Sequence, residues 1–346
     1  MTARAMKPDA DIEMPASIAA LVNLESLRPA AKSSRKLKKL LIPHARFKEV
    51  LSEVALQHLL AGDDPEAEAS CLLVYGKTGA GKSAALKYYA RQFPEKRGPE
   101  GMVRRVVYLQ VPSGADKHAL QRRILTRLGV PIPPRATQDE LTMLIDRHLR
   151  LQRVELLILD EVNHLADLRS SEKQYLAADM LKELTNFNSC QLVLAGLDSS
   201  LSVILNNPQL LRRRGRSFEV KAYAWDDEDD REAFEDFLEE FAHAMPFREA
   251  PPLADWSEQI SIASWGLVGI SVVFLIRATE IAVKAASGDL NVLHLGKAFD
   301  ELKPRGTKGN PFSGKSVRFP PDYLELLMEG VRRKSGLRKR AKEVVT

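Results

Sequence analysis

Between Cys71 and Tyr223 the chain alternates short, largely apolar runs with longer stretches of helical spacing. The apolar runs are CLLVY from Cys71, VRRVVYLQV from Val103, VELLILD from Val154, QLVLAG from Gln191 and FEVKAY from Phe218. A strand with one wet face alternates apolar and polar residues. Runs that stay apolar at nearly every position are buried on both faces, which points to a parallel sheet covered by helices on each side. The intervening spacing predicts helices over residues 81–92, 116–128 and 138–149. A further helix is predicted over 44–60, with Phe47, Leu51, Val54, Ala55 and Leu59 on one face. The fold class is therefore α/β, doubly wound.

After Tyr223 the strand signals stop. Residues 227–302 read as three or four helices, one of them 265–286, with enough apolar positions for a small bundle core. Residues 303–319, KPRGTKGNPFSGKSVRF, are a Gly-, Pro- and Lys-rich loop, and PDYLELLMEGVRRKS is a last amphipathic helix with Pro320 and Pro321 at its start. Residues 1–40 lack sustained periodicity and read as a flexible arm. The expected organisation is thus a flexible basic arm over 1–40, an α/β domain over 41–223, a smaller helical domain over 224–302, and a loop, helix and basic tail over 303–346. No internal repeat is found.

At 346 residues, 45% hydrophobic and 28% charged, the chain has the composition of one large or two ordinary globular domains. No apolar run approaches the roughly 20 residues of a membrane-spanning helix, and acids stand where a signal peptide needs an apolar core. Two distant cysteines, Cys71 and Cys190, each beside an apolar run, read as small buried hydrophobes in a reducing, cytoplasmic setting. The net charge of +5 is unevenly placed: residues 331–346 alone carry seven Lys/Arg against one acid. A second basic cluster, Lys32, Arg35, Lys36, Lys38 and Lys39, lies near the N-terminus, and residues 226–240 are strongly acidic. Basic ends around a nearly neutral body favour nucleic acid or an acidic partner complex.

Gly76, Lys77, Thr78, Gly79, Ala80, Gly81, Lys82 and Ser83 fit G-x-x-x-x-G-K-[ST] between a predicted strand and a predicted helix, with Ala84 next in line. The glycines let backbone N–H groups turn toward phosphate oxygens, and the helix start adds partial positive charge. Lys82 is the residue for the β- and γ-phosphates of ATP, and the Ser83 hydroxyl is a Mg²⁺ ligand. VELLILD ends in Asp160 and Glu161, where Asp160 would hold Mg²⁺ through water and Glu161 would orient and polarise the attacking water. QLVLAG leads into Asp198 and Ser199, candidates for a γ-phosphate contact or for helix capping. Arg212, Arg213, Arg214 and Arg216 precede the strand predicted at Phe218; Arg213, Arg214 or Arg216 could serve a neighbouring subunit's γ-phosphate as a finger. His164 either caps the helix that follows or couples Glu161 to a partner. The remaining chemistry classes are empty: there is no nucleophile elbow, and the seven histidines show no metal-ligand spacing.

These residues resemble the AAA+ ATPases of transposition systems, the TniB/TnsC group, to which MuB and IstB are functionally similar. The resemblance rests on GKTGAGKS, on the run from Leu157 to Leu165 around Asp160-Glu161-Val162-Asn163-His164, on Asn207-Pro208-Gln209-Leu210 with arginines after it, on the Gly266–Ile270 stretch opening a lid helix, and on the lead-in from Leu41 to Phe47. It covers roughly residues 40–300. It implies Mg·ATP hydrolysis, binding to double-stranded DNA, and homo-oligomers in rings or helical filaments. It also implies a transposase and a TniQ-like targeting protein as partners. In such filaments core loops line the DNA, which makes Lys117, Arg122 and Arg123 candidates for DNA contact beside the basic tail. Two departures stand out. The arginine turn is longer than the group's Gln-Leu-x-x-Arg-Phe, and no lid arginine follows Gly266 until Arg277. Two other classes compete: an initiator-type or signalling switch that governs protein assembly, and a small-molecule kinase, which would have little use for the acid pair.

Overall fold

The computed structural model describes residues 14–15, 21–61, 70–166, 179–184, 190–201, 214–314 and 316–320. Its centre is a five-stranded sheet of β1 (Cys71–Tyr75), β4 (Val106–Gln110), β5 (Leu156–Asp160), β6 (Gln191–Gly196) and β7 (Arg214–Glu219), in the order β4-β5-β6-β1-β7. All four strand pairings are parallel. The apolar runs have the cause the sequence implied, because neighbouring residues on one strand feed two separate cores. Leu73, Leu157, Leu159 and Leu194 pack with α4 (Lys117–Arg127) and α5 (Gln138–Leu151). Leu72, Val74, Ile158 and Val193 pack with α2 (Ala45–Leu59) and α3 (Lys82–Arg91). Each side chain so buried contributes about 1.5–3 kcal/mol, and a one-residue slip of register would exchange the two cores.

After the short helix α6 (Asn163–Ala166), the helical part consists of α7 (Glu228–Ala244), α8 (Ser257–Ser264), α9 (Val268–Lys284) and α10 (Val292–Leu302). Phe234, Phe237 and Phe241 line one face of α7 and form the middle of its core with Phe274, Leu275 and Phe299. The loop expected over 303–319 is stitched to this bundle. Asn310 Nδ2 donates to the Gly296 carbonyl at 2.9 Å, Phe312 stacks on Phe274, and Phe319 lies against Trp265. Among the described residues no single helix is long and apolar enough to cross a membrane.

Five expectations need correction. Residues 24–38, inside the stretch taken as a flexible arm, form helix α1 (Leu24–Lys38), capped by Asn23 and tied to the lid through Ser34 Oγ, which donates to Glu280 at 2.6 Å. Its buried face is Ala30, Ser33, Ser34 and Leu37, so only one strongly apolar side chain marks it, and Pro29 inside the helix speaks against one. The run VRRVVYLQV splits. Residues 101–103 pair with 96–98 in a small hairpin, β2 (Lys96–Gly98) with β3 (Gly101–Val103), and the sheet strand starts at Val106. Arg104 and Arg105 make the break by pairing with Glu95 and Glu155. Helix α2 is rotated from the expected face: Gln57 and His58 are buried and Leu59 is exposed. Hydrogen bonds explain the burial, from Gln57 Nε2 to the Ser70 carbonyl and from the His58 ring to Tyr89 and Glu155. The helix expected over 265–286 begins at Val268, because Trp265 and Gly266 both take left-handed backbone and end α8. The last strand starts at Arg214 rather than Phe218. The terminal amphipathic helix and basic tail lie outside the described residues.

Candidate functional site

Strand β1 delivers the chain to Gly76, whose φ of 143° is open to glycine alone, and a Cβ there would stand 2.5 Å from the Val220 carbonyl oxygen. Gly79 and Gly81 also have positive φ, and Gly81 is the N-cap of α3. The loop so formed wraps Lys82, whose Nζ donates to the carbonyls of Gly76 at 2.7 Å and Lys77 at 2.9 Å. Burial pushes the Lys82 ammonium below its usual range, while Asp160, Glu161 and Asp198 act in the opposite direction. Three carboxylates around one ammonium leave the site net negative. With the Ser83 hydroxyl and the Asp160 carboxylate at its wall, it presents the hard oxygen donors that Mg²⁺ takes.

Asp160 ends β5 and is buried. Its Oδ1 accepts from the backbone N–H of Glu161 at 2.9 Å, and its Oδ2 accepts from the Tyr108 hydroxyl at 2.6 Å. Burial and the two neighbouring carboxylates push the Tyr108 phenol up, so it stays a donor at neutral pH. Glu161 itself holds a φ of 62°, a left-handed conformation that costs a non-glycine residue of order 1–3 kcal/mol and recurs at active sites. The strain turns the chain sharply after Asp160, so that the two adjacent acids both line one cleft.

That cleft, about 210 Å³, is lined by Thr78, Gly79, Gly81, Lys82, Ser83, Ala84, Asp160, Glu161, Gly196, Leu197 and Gly269. It joins the two motifs predicted from sequence and adds Gly196 and Leu197, where QLVLAG ends, and Gly269 of the Gly266–Ile270 stretch, none of which was assigned to the site from sequence. Ala80 is buried in the core beneath the loop. Asp198 follows the cleft wall, and its buried Oδ1 has no hydrogen-bond partner among the described residues. Gly196 is glycine because Ser200 and Asn163 fill the space a side chain would take, with Ser200 Oγ only 2.1 Å from its Cβ position. A larger cleft, about 430 Å³, lies between residues 42–48 and α7, and none of its lining residues comes from the phosphate loop or β5. His44, which lines it, also faces Gly81, its Nε2 standing 3.7 Å from the position of a Cβ there.

The other predicted residues scatter. Arg213 lies outside the described residues. Arg214 and Arg216 belong to β7 and are not turn residues, and Arg216 is paired with Glu53 of α2 at 3.3 Å within its own chain. Lys117, expected at DNA, is buried instead, and its Nζ donates to Glu183 at 2.8 Å. Arg122 is half-buried and Arg123 exposed on the same helix. Arg277 is held by Glu280 and Glu301 on the lid surface. Tyr108 was missed altogether, since an aromatic in an apolar strand carries no sequence signal beyond core packing.

A phosphate loop after the first strand, an acid pair after β5 and a helical lid resting on that loop define a P-loop ATPase fold of the AAA+ class. The family model described as bacterial TniB protein matches residues 33–223, more than half of the chain. The chain belongs to the TniB family. The match ends at Tyr223, before the lid. Among solved structures, the fold is similar to the Aeropyrum pernix ORC2 protein with ADPNP and ADP (18% identity, TM-score 0.58, 79% of this chain and 73% of that one). It is also similar to the Aeropyrum pernix ORC1 protein in complex with DNA (18%, 0.59, 79% and 70%) and to Cdc6p of Pyrobaculum aerophilum (18%, 0.56, 75% and 67%). No curated protein sequence matches.

Proposed function

We propose that this chain is an ATP-hydrolysing, DNA-associated regulator of transposition, assembling with ATP on double-stranded DNA and released by hydrolysis. The observation that carries the reading is the meeting of Lys82, Ser83, Asp160 and Glu161 in one cleft of a TniB-family chain. In this reading Lys82 leaves the carbonyls of Gly76 and Lys77 for the β- and γ-phosphates, which compensate its charge better than neutral oxygens do. Ser83 and Asp160 hold Mg²⁺, which when bound neutralises phosphate charge. Glu161 orients the attacking water, and Asp198, next to the cleft residue Leu197, is the candidate for a γ-phosphate contact. Thr78, Gly79 and Gly81 supply the backbone around the phosphates, and Ala84 lies beside them.

The finger would come from a neighbouring copy, through Arg213 or Arg214; Arg216, already tied to Glu53, is the weaker candidate. DNA contact would fall to Arg122, Arg123 and the basic ends, with Lys117 holding α4 in place rather than touching phosphate. A transposase and a TniQ-like protein are the partners that the family suggests, and the cytoplasm is the setting. The alternative, an initiator-type switch without a transposition role, has in its favour the fold shared with origin-recognition proteins. It predicts that DNA alters neither assembly nor turnover.

The test is electron microscopy and ATPase measurement on the Glu161→Gln and Lys82→Ala variants. Glu161→Gln should bind ATP, lose turnover by at least about 10²-fold and accumulate as rings or filaments on duplex DNA. Lys82→Ala should fail to bind ATP and so neither turn over nor assemble. Assembly indifferent to DNA would select the switch, and parental turnover in Glu161→Gln would remove the catalytic glutamate from this account.

A further inference from the structure

The phenol of Tyr108 has no place in the reading above, yet its position is highly constrained. In the parallel pairing of β4 with β5, Tyr108 stands opposite Ile158. Side chains two apart on a strand share a face, so Asp160 lies on that same face, one step further along. The ring packs on the core beneath α3, and Lys87 Nζ sits 5.7 Å above its centroid. Ser83 precedes Lys87 by four residues and so occupies the same side of α3. Tyr108 is therefore wedged between the helix that carries Ser83 and the strand that carries Asp160. Arg127 Nε fixes its backbone by donating to the Tyr108 carbonyl at 3.1 Å.

We infer that Tyr108 is a positioning residue for the metal: its hydroxyl, donating to Asp160 Oδ2 at 2.6 Å, fixes the rotation of the carboxylate that lines the cleft with Ser83. A carboxylate oxygen has two lone pairs. With the Glu161 N–H on one oxygen and the phenol on the other, Asp160 can present only its remaining lone pairs, and it presents them at a fixed angle. Partners behind a metal ligand typically govern affinity by 10–100-fold, because they set both its orientation and its basicity. The inference rests on the reading of Asp160 as a metal holder, and the experiment separates the two.

The measurement is a MgCl₂ titration of a fluorescent ATP analogue bound to the full chain, with a parallel analogue titration in EDTA. Tyr108→Phe removes one oxygen and keeps the ring. It should weaken the apparent Mg²⁺ affinity by about 10-fold or more and leave analogue affinity in EDTA within about twofold. A merely structural role would lower both together. In an Asp160→Asn background Tyr108→Phe should add nothing, and Lys87→Ala, which leaves the phenol in place, should leave Mg²⁺ affinity unchanged. Should the phenylalanine variant not fold, Tyr108→Met fills the same space and is read the same way. Mg²⁺ affinity within twofold of the parent in a folded Tyr108 variant, while Asp160→Asn loses it, overturns the inference alone. If Asp160→Asn also keeps its Mg²⁺ affinity, the assignment of the metal site falls and the inference falls with it.

Discussion

The phosphate loop and the lid meet at a single backbone hydrogen bond, from the Gly269 N–H to the Gly79 carbonyl at 2.7 Å, and both sides use glycine there for opposite reasons. In the loop the need is conformational. Gly76, Gly79 and Gly81 have φ of 143°, 85° and 95°, values that an L side chain seldom takes whatever the free space. On the lid the need is spatial. Gly269 is the second residue of α9 and has no unusual φ, but a Cβ there would stand 2.8 Å from the Gly79 oxygen and 3.1 Å from its Cα. Backbone on both sides of the contact leaves no flexible atom to give way. The first kind of glycine needs its backbone conformation whatever surrounds it, although the Val220 carbonyl also excludes a Cβ at Gly76, and it forms a widely shared motif. The second has ordinary backbone and is fixed only by a contact 190 residues away in sequence, so its reason is invisible in the Gly266–Ile270 stretch itself.

The comparison breaks first at Gly269. Gly269→Val should push α9 off the loop, at a cost of about 3 kcal/mol by overpacking, and should weaken ATP binding because the cleft loses one wall. Gly288→Ala is the matched control. Nothing lies within 4 Å of its Cβ position, so stability should stay within about 0.5 kcal/mol of the parent. Chemical denaturation and nucleotide titration on the two variants give the answer. Parental stability and affinity in Gly269→Val would mean that the lid does not rest on the loop in solution.

The same division explains what the sequence could tell. The sheet was legible because a strand buried on both faces must be apolar throughout, and the loop from Gly76 to Ser83 was legible because phosphate chemistry restricts each position. Helix α1 was not, since Leu37 is the one large apolar side chain on its buried face and Pro29 stands inside it. Nor could spacing show that Lys117 faces inward, because its partner Glu183 lies 66 residues away. Tyr108 escaped for a related reason. Its hydroxyl matters only because β4 and β5 are neighbours, and adjacency in the sheet is a property of topology.

The seam also contains a titratable group whose effect is larger than its position suggests. His44 precedes α2 and is buried against Tyr223 and Phe237. The Tyr223 hydroxyl accepts from the Arg46 N–H and is thus placed to donate to His44 Nδ1 at 3.0 Å. Burial first, then the charges of Arg46 and Lys48, push the imidazole down to about 4. The unfolded chain takes up this proton near the ordinary value of 6.5, before the folded chain does. Between those two values the unfolded state binds more protons, so stability rises with pH and is lost as pH falls from about 6.5 toward 4. The contribution is at most about 3 kcal/mol. Melting temperatures of the parent should therefore fall more steeply over this window than those of His44→Gln. Parallel slopes for the two proteins would show that the ring is hydrated in the folded state.

The smallest effect is expected where the seam is ionic. Arg46, in the first turn of α2, reaches Asp230, in the first turn of α7, at 2.6 Å, and both side chains are largely covered at 18% and 17% exposure. Neither residue lines the phosphate cleft. Each also has a second role: Arg46 pairs with Glu49 and lies over the Tyr223 ring, while Asp230 Oδ2 accepts from the Ala224 N–H. Deleting either one alone therefore removes more than the ion pair, and only a double-mutant cycle isolates it. Arg46→Met keeps the apolar stem over Tyr223, and Asp230→Asn keeps an acceptor for Ala224. The coupling between them should be about 1 kcal/mol, above that of an exposed pair because water is partly excluded. It should shrink only modestly at about 1 M salt, where an exposed pair is screened almost entirely. ATP affinity should not move in any corner of the cycle, since the pair holds the flank of the lid and not the contact at Gly269. Coupling near zero, with both single variants destabilised, would assign the joint to Tyr223 and its aromatic neighbours. Loss of ATP affinity along with coupling would mean that the flank and the Gly269 contact move as one rigid body.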